Sequence, residues 1–208
     1  MYHEQREEFY YITVTNQNSV MPALPAATTQ RSQALLEAQI NQGMYLFEGT
    51  AQSADVNLFG SGAIMFEVLE AACLLRERDL EVAVWSVTSY VELVRQGLAA
   101  ERARLVQLGD TQDTPYVADL LAGASGVFVA ASDYQKSLPN GIRQWVPGPY
   151  AVLGTDGYGL SESREELRDH FEVSAAWITF AALSSLAQSN QTSPEPARDF
   201  AREAGLRL

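Results

Sequence analysis

Chemistry in this chain can come from few places. The densest is Gly154-Thr155-Asp156-Gly157-Tyr158-Gly159, three glycines in six residues directly after the apolar run Tyr150–Leu153. A strand that runs into glycines makes a tight turn, through positive φ or close backbone approach. Inside that turn Asp156 carries a short carboxylate that can bind local backbone N–H groups. Tyr158 offers a ring that packs at a domain or subunit interface or simply covers the turn. Asp169-His170 sets a carboxylate beside an imidazole. Adjacent helical residues point apart, so the two do not converge on one substrate as base and orienter. His170 reads instead as a structural residue near a helix C-terminus, where a cation is favoured. Gly60-Ser61-Gly62, between a strand and a helix, could hold an anion at the helix N-terminus. It lacks the third glycine of a dinucleotide site, an acidic residue at the end of the next strand, and a Walker lysine. A tight strand–helix turn is the simpler reading and an anion or nucleotide site the alternative.

Other chemistries find no residues. Two histidines (His3 and His170) and one cysteine make no metal-ligand set, and no Gly-x-Ser-x-Gly elbow is present. Cys73 lies mid-helix among apolar neighbours and is expected to be a packed thiol. The net charge of −12 argues against a nucleic-acid or anionic-membrane surface. A single cysteine forms no internal disulfide, which suits the cytosol. No apolar run approaches the ~20 residues of a membrane span.

The elements that must position these residues follow from hydrophobic periodicity. Residues 9–15 are β-branched and aromatic and predict a strand. Pro22 and Pro25 then frame an extended, linker-like connector to about Asn41. From Gly43 onward strands and helices alternate. Strands are expected at 44–48, 55–59, 81–87, 126–131 and 150–153. Helices are expected between them, one carrying Ile64, Val68, Ala71, Ala72 and Leu75 on a single face, with Glu67 off it. Capping boxes are read at Ser89/Glu92 and Ser163/Glu166, and a box-like start at Ser132/Gln135. Gly97 marks a possible helix break near Arg95. Thr114-Pro115 opens a short helix, and Pro139-Asn140-Gly141 interrupts another. Ser174 caps a largely apolar helix, with Val173 and Ile178 as a hydrophobic staple. Ser193-Pro194 starts a last helix, which Gly205 ends. Alternation of this kind is the mark of an α/β layer fold with a mostly parallel sheet.

The run Gly154 to Val173, G-T-D-G-Y-G-L-S and then R-E-E-L-R-D-H-F-E-V, also resembles a known family. It is similar to the C-terminal domain of the homodimeric pyruvate dehydrogenase decarboxylase subunit, a thiamine diphosphate-dependent member of the transketolase superfamily. Leu58-Phe59-Gly60-Ser61-Gly62 and the run Val84 to Leu93 are further matches, with weaker ones at Ser132-Asp133-Tyr134 and 143–147. The chain departs from the family at Leu160, where arginine is frequent, at Glu101-Arg102-Ala103-Arg104, at Leu108-Gly109-Asp110, and at Pro139-Asn140-Gly141.

The resemblance implies a three-layer α/β fold whose five-stranded, mostly parallel sheet has one antiparallel strand. It implies that residues 1–41 are the end of a preceding pyrimidine-binding domain plus a linker, and 42–208 the transketolase-like C-terminal domain. The carboxylate that activates thiamine diphosphate and the loop that holds its magnesium lie in the family's preceding domains. Catalytic, cofactor-binding and metal residues are therefore expected to be none in this chain, with thiamine diphosphate and magnesium in the parent enzyme. That parent would be cytoplasmic and homodimeric. It would decarboxylate a 2-oxo acid and acylate the lipoyl acyltransferase component of its complex. Asp156, Tyr158 and His170 become candidate residues of an interface or active-site entrance. A free-standing Rossmann-like module using Gly60, Ser61 and Gly62 is the rival reading, and a stand-alone assembly protein a third.

Overall fold

The computed structural model describes residues 32–108 and 113–208, together with 18–25, Glu7, Phe9 and Ile12. Five strands form one sheet: β1 (Met44–Glu48), β2 (Val56–Gly60), β3 (Val82–Val87), β4 (Val127–Ala131) and β5 (Tyr150–Leu153). Their order is β1-β3-β2-β4-β5. β1 pairs antiparallel with β3, and every other pairing is parallel. Eight α-helices accompany them among the described residues: α1 (Gln33–Gln42), α2 (Met65–Arg76), α3 (Tyr90–Val106), α4 (Tyr116–Leu120), α5 (Ser137–Asn140), α6 (Arg164–His170), α7 (Ala175–Gln188) and α8 (Glu195–Glu203).

The three layers follow from strand periodicity, because successive side chains point to opposite faces. Val56, Leu58, Val82, Val84, Val127 and Val129 face one way and pack with α2, α7 and α8. Phe59, Ala83, Trp85, Phe128 and Ala130 face the other, against Leu93 of α3, Val117 of α4 and Ile142. The central strands are buried on both faces, as a parallel sheet under helices requires. Of the buried polar side chains, Asn57 lies within a central strand. Asn57 accepts from Trp85 Nε1 at 3.0 Å and donates to the Ser125 carbonyl at 2.6 Å, so its burial leaves the amide satisfied.

Four expectations change here. The connector expected to stay extended to about Asn41 becomes α1 from Gln33. Ser32 caps it by accepting from the Leu35 N–H at 3.1 Å, and Leu36 is its buried residue. One buried residue leaves no apolar stripe to read. α3 runs unbroken through Gly97. A Cβ there would lie 2.1 Å from the Trp145 ring, so the glycine makes room for an indole rather than breaking a helix. Cys73 is exposed on α2, not packed. Pro139 sits buried inside the one-turn α5 instead of interrupting it. The strand expected at 9–15 lies outside the described residues, apart from the exposed Phe9 and Ile12.

Candidate functional site

β2 and β4 lie side by side, but β2 leads into α2 on one face and β4 into α5 on the other. Their carboxyl ends diverge, which opens a crevice where α/β sheets place ligand and contact sites. Ser61, after β2, donates to Ser132 Oγ after β4 at 3.0 Å, closing the floor of that crevice. Ser132 Oγ also accepts from the Tyr134 N–H at 3.1 Å. The expected Ser132/Gln135 box is thus a tighter turn, two residues long. The Asp133 carboxylate comes within 3.4 Å of where a Cβ on Gly62 would lie. Negative charge already faces the start of α2, so Gly60, Ser61 and Gly62 would repel an incoming anion.

The glycine turn packs against the loop that follows β4. Thr155 donates its N–H to the Tyr134 carbonyl at 2.9 Å and its hydroxyl to the Asp133 carbonyl at 2.5 Å. Asp156 Oδ1 accepts the Lys136 N–H at 2.9 Å. The carboxylate therefore binds a backbone group 20 residues away rather than its own turn. The three glycines divide their duties. Gly154 is needed for close approach, since a Cβ would sit 2.6 Å from the Tyr134 carbonyl oxygen. Gly157 has φ +88°, which favours glycine, and Gly159 has open space and no such constraint. From this pinned base Tyr158 projects 95% exposed, beside the exposed Leu160. The reading in which Tyr158 covers the turn does not hold.

Beyond the turn α6 forms one wall of a cleft of about 380 Å³, lined by Ile64, Asp133, Leu160, Leu167, Arg168 and Phe171 among others. Ser163 caps α6 by accepting the Glu166 N–H at 3.3 Å, while the Ser163 N–H is taken by Glu162 Oε1 at 2.9 Å. The acidic arm of the expected box thus comes from the preceding residue. His170 is exposed and meets the Phe171 ring edge-on at 4.9 Å. Asp169 turns from it to accept Trp177 Nε1 at 2.9 Å. The two do not form a base and its orienter. Asp156, Tyr158 and His170 do not converge on one point by any contact the structure shows.

Two residues that sequence reasoning set aside hold this region together. Glu67 Oε1 pairs with Arg168 Nη1 at 2.6 Å, and its Oε2 accepts the Ala175 N–H at 2.9 Å. Glu67, rather than the expected Ser174, therefore caps α7. Its contacts span 101 and 108 residues, so no local pattern announces them.

The family model of the transketolase-like TK C-terminal domain matches residues 43–174. The chain belongs to that family. The match runs from the residue before β1 to the residue before α7, and so takes in the crevice, the glycine turn and α6. Among curated proteins, the pyruvate dehydrogenase E1 component of Pseudomonas aeruginosa is 43% identical over 99% of this chain and 23% of its own length. The Escherichia coli K12 protein of that description is 39% identical over 96% of this chain and 22% of its own length. The chain thus spans less than a quarter of these relatives and is homologous to their C-terminal part. A Leishmania mexicana transketolase shares the fold at TM-score 0.50 and 18% identity, over 73% of this chain and 19% of that one. In this transketolase-like domain, Thr155 and Gly159 of the glycine turn border the cleft that α6 walls.

Proposed function

We propose that this chain is the C-terminal domain of a thiamine diphosphate-dependent pyruvate dehydrogenase decarboxylase subunit, and that the Gly154–Gly159 turn is a docking surface at a subunit interface or active-site entrance. Identity of about 40% across nearly the whole chain to pyruvate dehydrogenase E1 components carries this reading. The parent enzyme would decarboxylate a 2-oxo acid and pass the acyl group to a lipoyl carrier on an acyltransferase partner. It would work as a homodimer in the cytoplasm. Thiamine diphosphate supplies the carbanion chemistry when bound, and magnesium holds its diphosphate. The residues described here do not fit either group. No three His, Cys, Asp or Glu side chains among them converge as metal ligands, and the Asp133 carboxylate faces the helix start where a diphosphate would have to lie. No step of the reaction is therefore assigned to this chain.

What the chain supplies is a rigid base for an exposed aromatic. Thr155 and Asp156 fix the base of the turn to the loop after β4, and the Tyr158 ring projects from that base into solvent. Candidate roles at the same surface fall to Asp156 as the pin, Tyr158 as the anchor, and His170 at the far end of α6. Isothermal titration of this chain with thiamine diphosphate and magnesium tests the division of labour. No heat of binding is expected, and micromolar binding would contradict it.

A further inference from the structure

We propose that Glu67 is a positioning residue that latches α6 against α2 and α7, so that α6 and the strap leading into it open as a unit while the sheet stays folded. The bridging carboxylate carries the argument. One oxygen holds Arg168 of α6 and the other caps the first N–H of α7. The two side chains are 13% and 19% exposed, so water screens the pair only weakly. Apolar burial fastens α6 weakly. None of its residues is buried, whereas α7 buries eight of 14. Leu167 is half-buried on the cleft side, and Asp169 adds the bond from Trp177. A helix of seven residues does not persist by itself in water and depends on tertiary contacts. Residues 156–163 ahead of it, and its own first three residues, are all exposed. Few buried apolar contacts and a polar fastening are the physical marks of a segment that opens locally.

The rival is that Glu67 merely caps α7. Losing a cap on a core helix would loosen the body of the domain, and α6 no more than the rest. The latch stands whether or not Tyr158 docks; its effect on docking rests on the interface reading above. The test is amide hydrogen exchange on the whole chain, for wild type, Glu67→Gln, Arg168→Met and Arg168→Lys. Glu67→Gln keeps an oxygen for the Ala175 N–H but removes the charge. Breaking a mostly buried ion pair should speed exchange of the 167–171 amides at least about tenfold in Glu67→Gln and Arg168→Met. The β2 and β4 amides should keep their wild-type rates, and Arg168→Lys should recover part of the protection. Unchanged exchange at 167–171 would overturn the latch. So would acceleration that is equal in α6, α7 and the sheet, which is the signature of the cap alone.

Discussion

α6 and α7 are neighbours in sequence and are built to opposite rules. α7 is apolar on most faces and buries Trp177, Ile178, Ala182, Leu183 and Leu186. Its position is fixed by close packing, where each buried methylene counts. α6 is Arg-Glu-Glu-Leu-Arg-Asp-His, buries no residue, and is fixed by Glu67, Asp169 and the Ser163 cap. Glu172, in the left-handed region at φ +58°, turns the chain between them. The difference separates scaffold from surface. Packing fixes the frame, and polar fastening holds a segment that lies at the surface.

The contrast can be broken most forcefully in the frame. Ile178→Ala should cost about 2–5 kcal/mol in urea unfolding, because the side chain is fully buried. Leu167→Ala on α6 should cost no more than about 1 kcal/mol, in line with its partial exposure. Comparable losses would mean that α6 belongs to the core. Next come the glycines. Gly154→Ala forces a Cβ against the Tyr134 carbonyl and should cost about 1–3 kcal/mol. Gly159→Ala, in open space, should stay within about 0.5 kcal/mol of wild type. Thermal melts of the two would show whether the turn is pinned at its base alone.

Alkaline pH sharpens the same division. Burial raises Tyr116 from 10.0 to about 12, while its hydroxyl donates to the Met44 carbonyl at 2.8 Å. Burial also pushes the hydroxyls of Tyr90 and Tyr150 well above the usual tyrosine range. A folded pKa raised above the unfolded one contributes stability that is whole below pH 10.0 and is lost as pH rises toward 12. Stability should therefore fall across that window. Tyr116→Phe should flatten the fall. The smallest effect belongs to the cap. Ser163→Ala removes the acceptor of the Glu166 N–H and should cost about 1 kcal/mol or less. Hydrogen exchange should register it in α6 rather than in the sheet.

All five strands and the mostly parallel sheet could be read from the chain, because β-branched runs such as Val82–Val87 leave no other period. The turn at Gly154 and the Ser163 cap were legible for the same local reason. What escaped depends on distance. Glu67 reaches residues more than 100 positions away, and Asp156 looks like the holder of its own turn until Lys136 is folded beside it. Gly97 suggests a break because the Trp145 ring that fills its place comes from another part of the chain. α1 escaped because a helix that buries Leu36 alone carries no amphipathic signature.

The proposed role of Tyr158 as an interface anchor requires that its ring contribute nothing to the fold of this chain and much to association. Its most direct test is sedimentation equilibrium of Tyr158→Ala in a full-length enzyme of the pyruvate dehydrogenase E1 type that carries this domain, beside unfolding of the present chain with the same substitution. A ring 95% exposed should leave the unfolding midpoint unchanged. A buried interface tyrosine should weaken dimerisation about tenfold or more when truncated. An unchanged dimer dissociation constant would contradict the account.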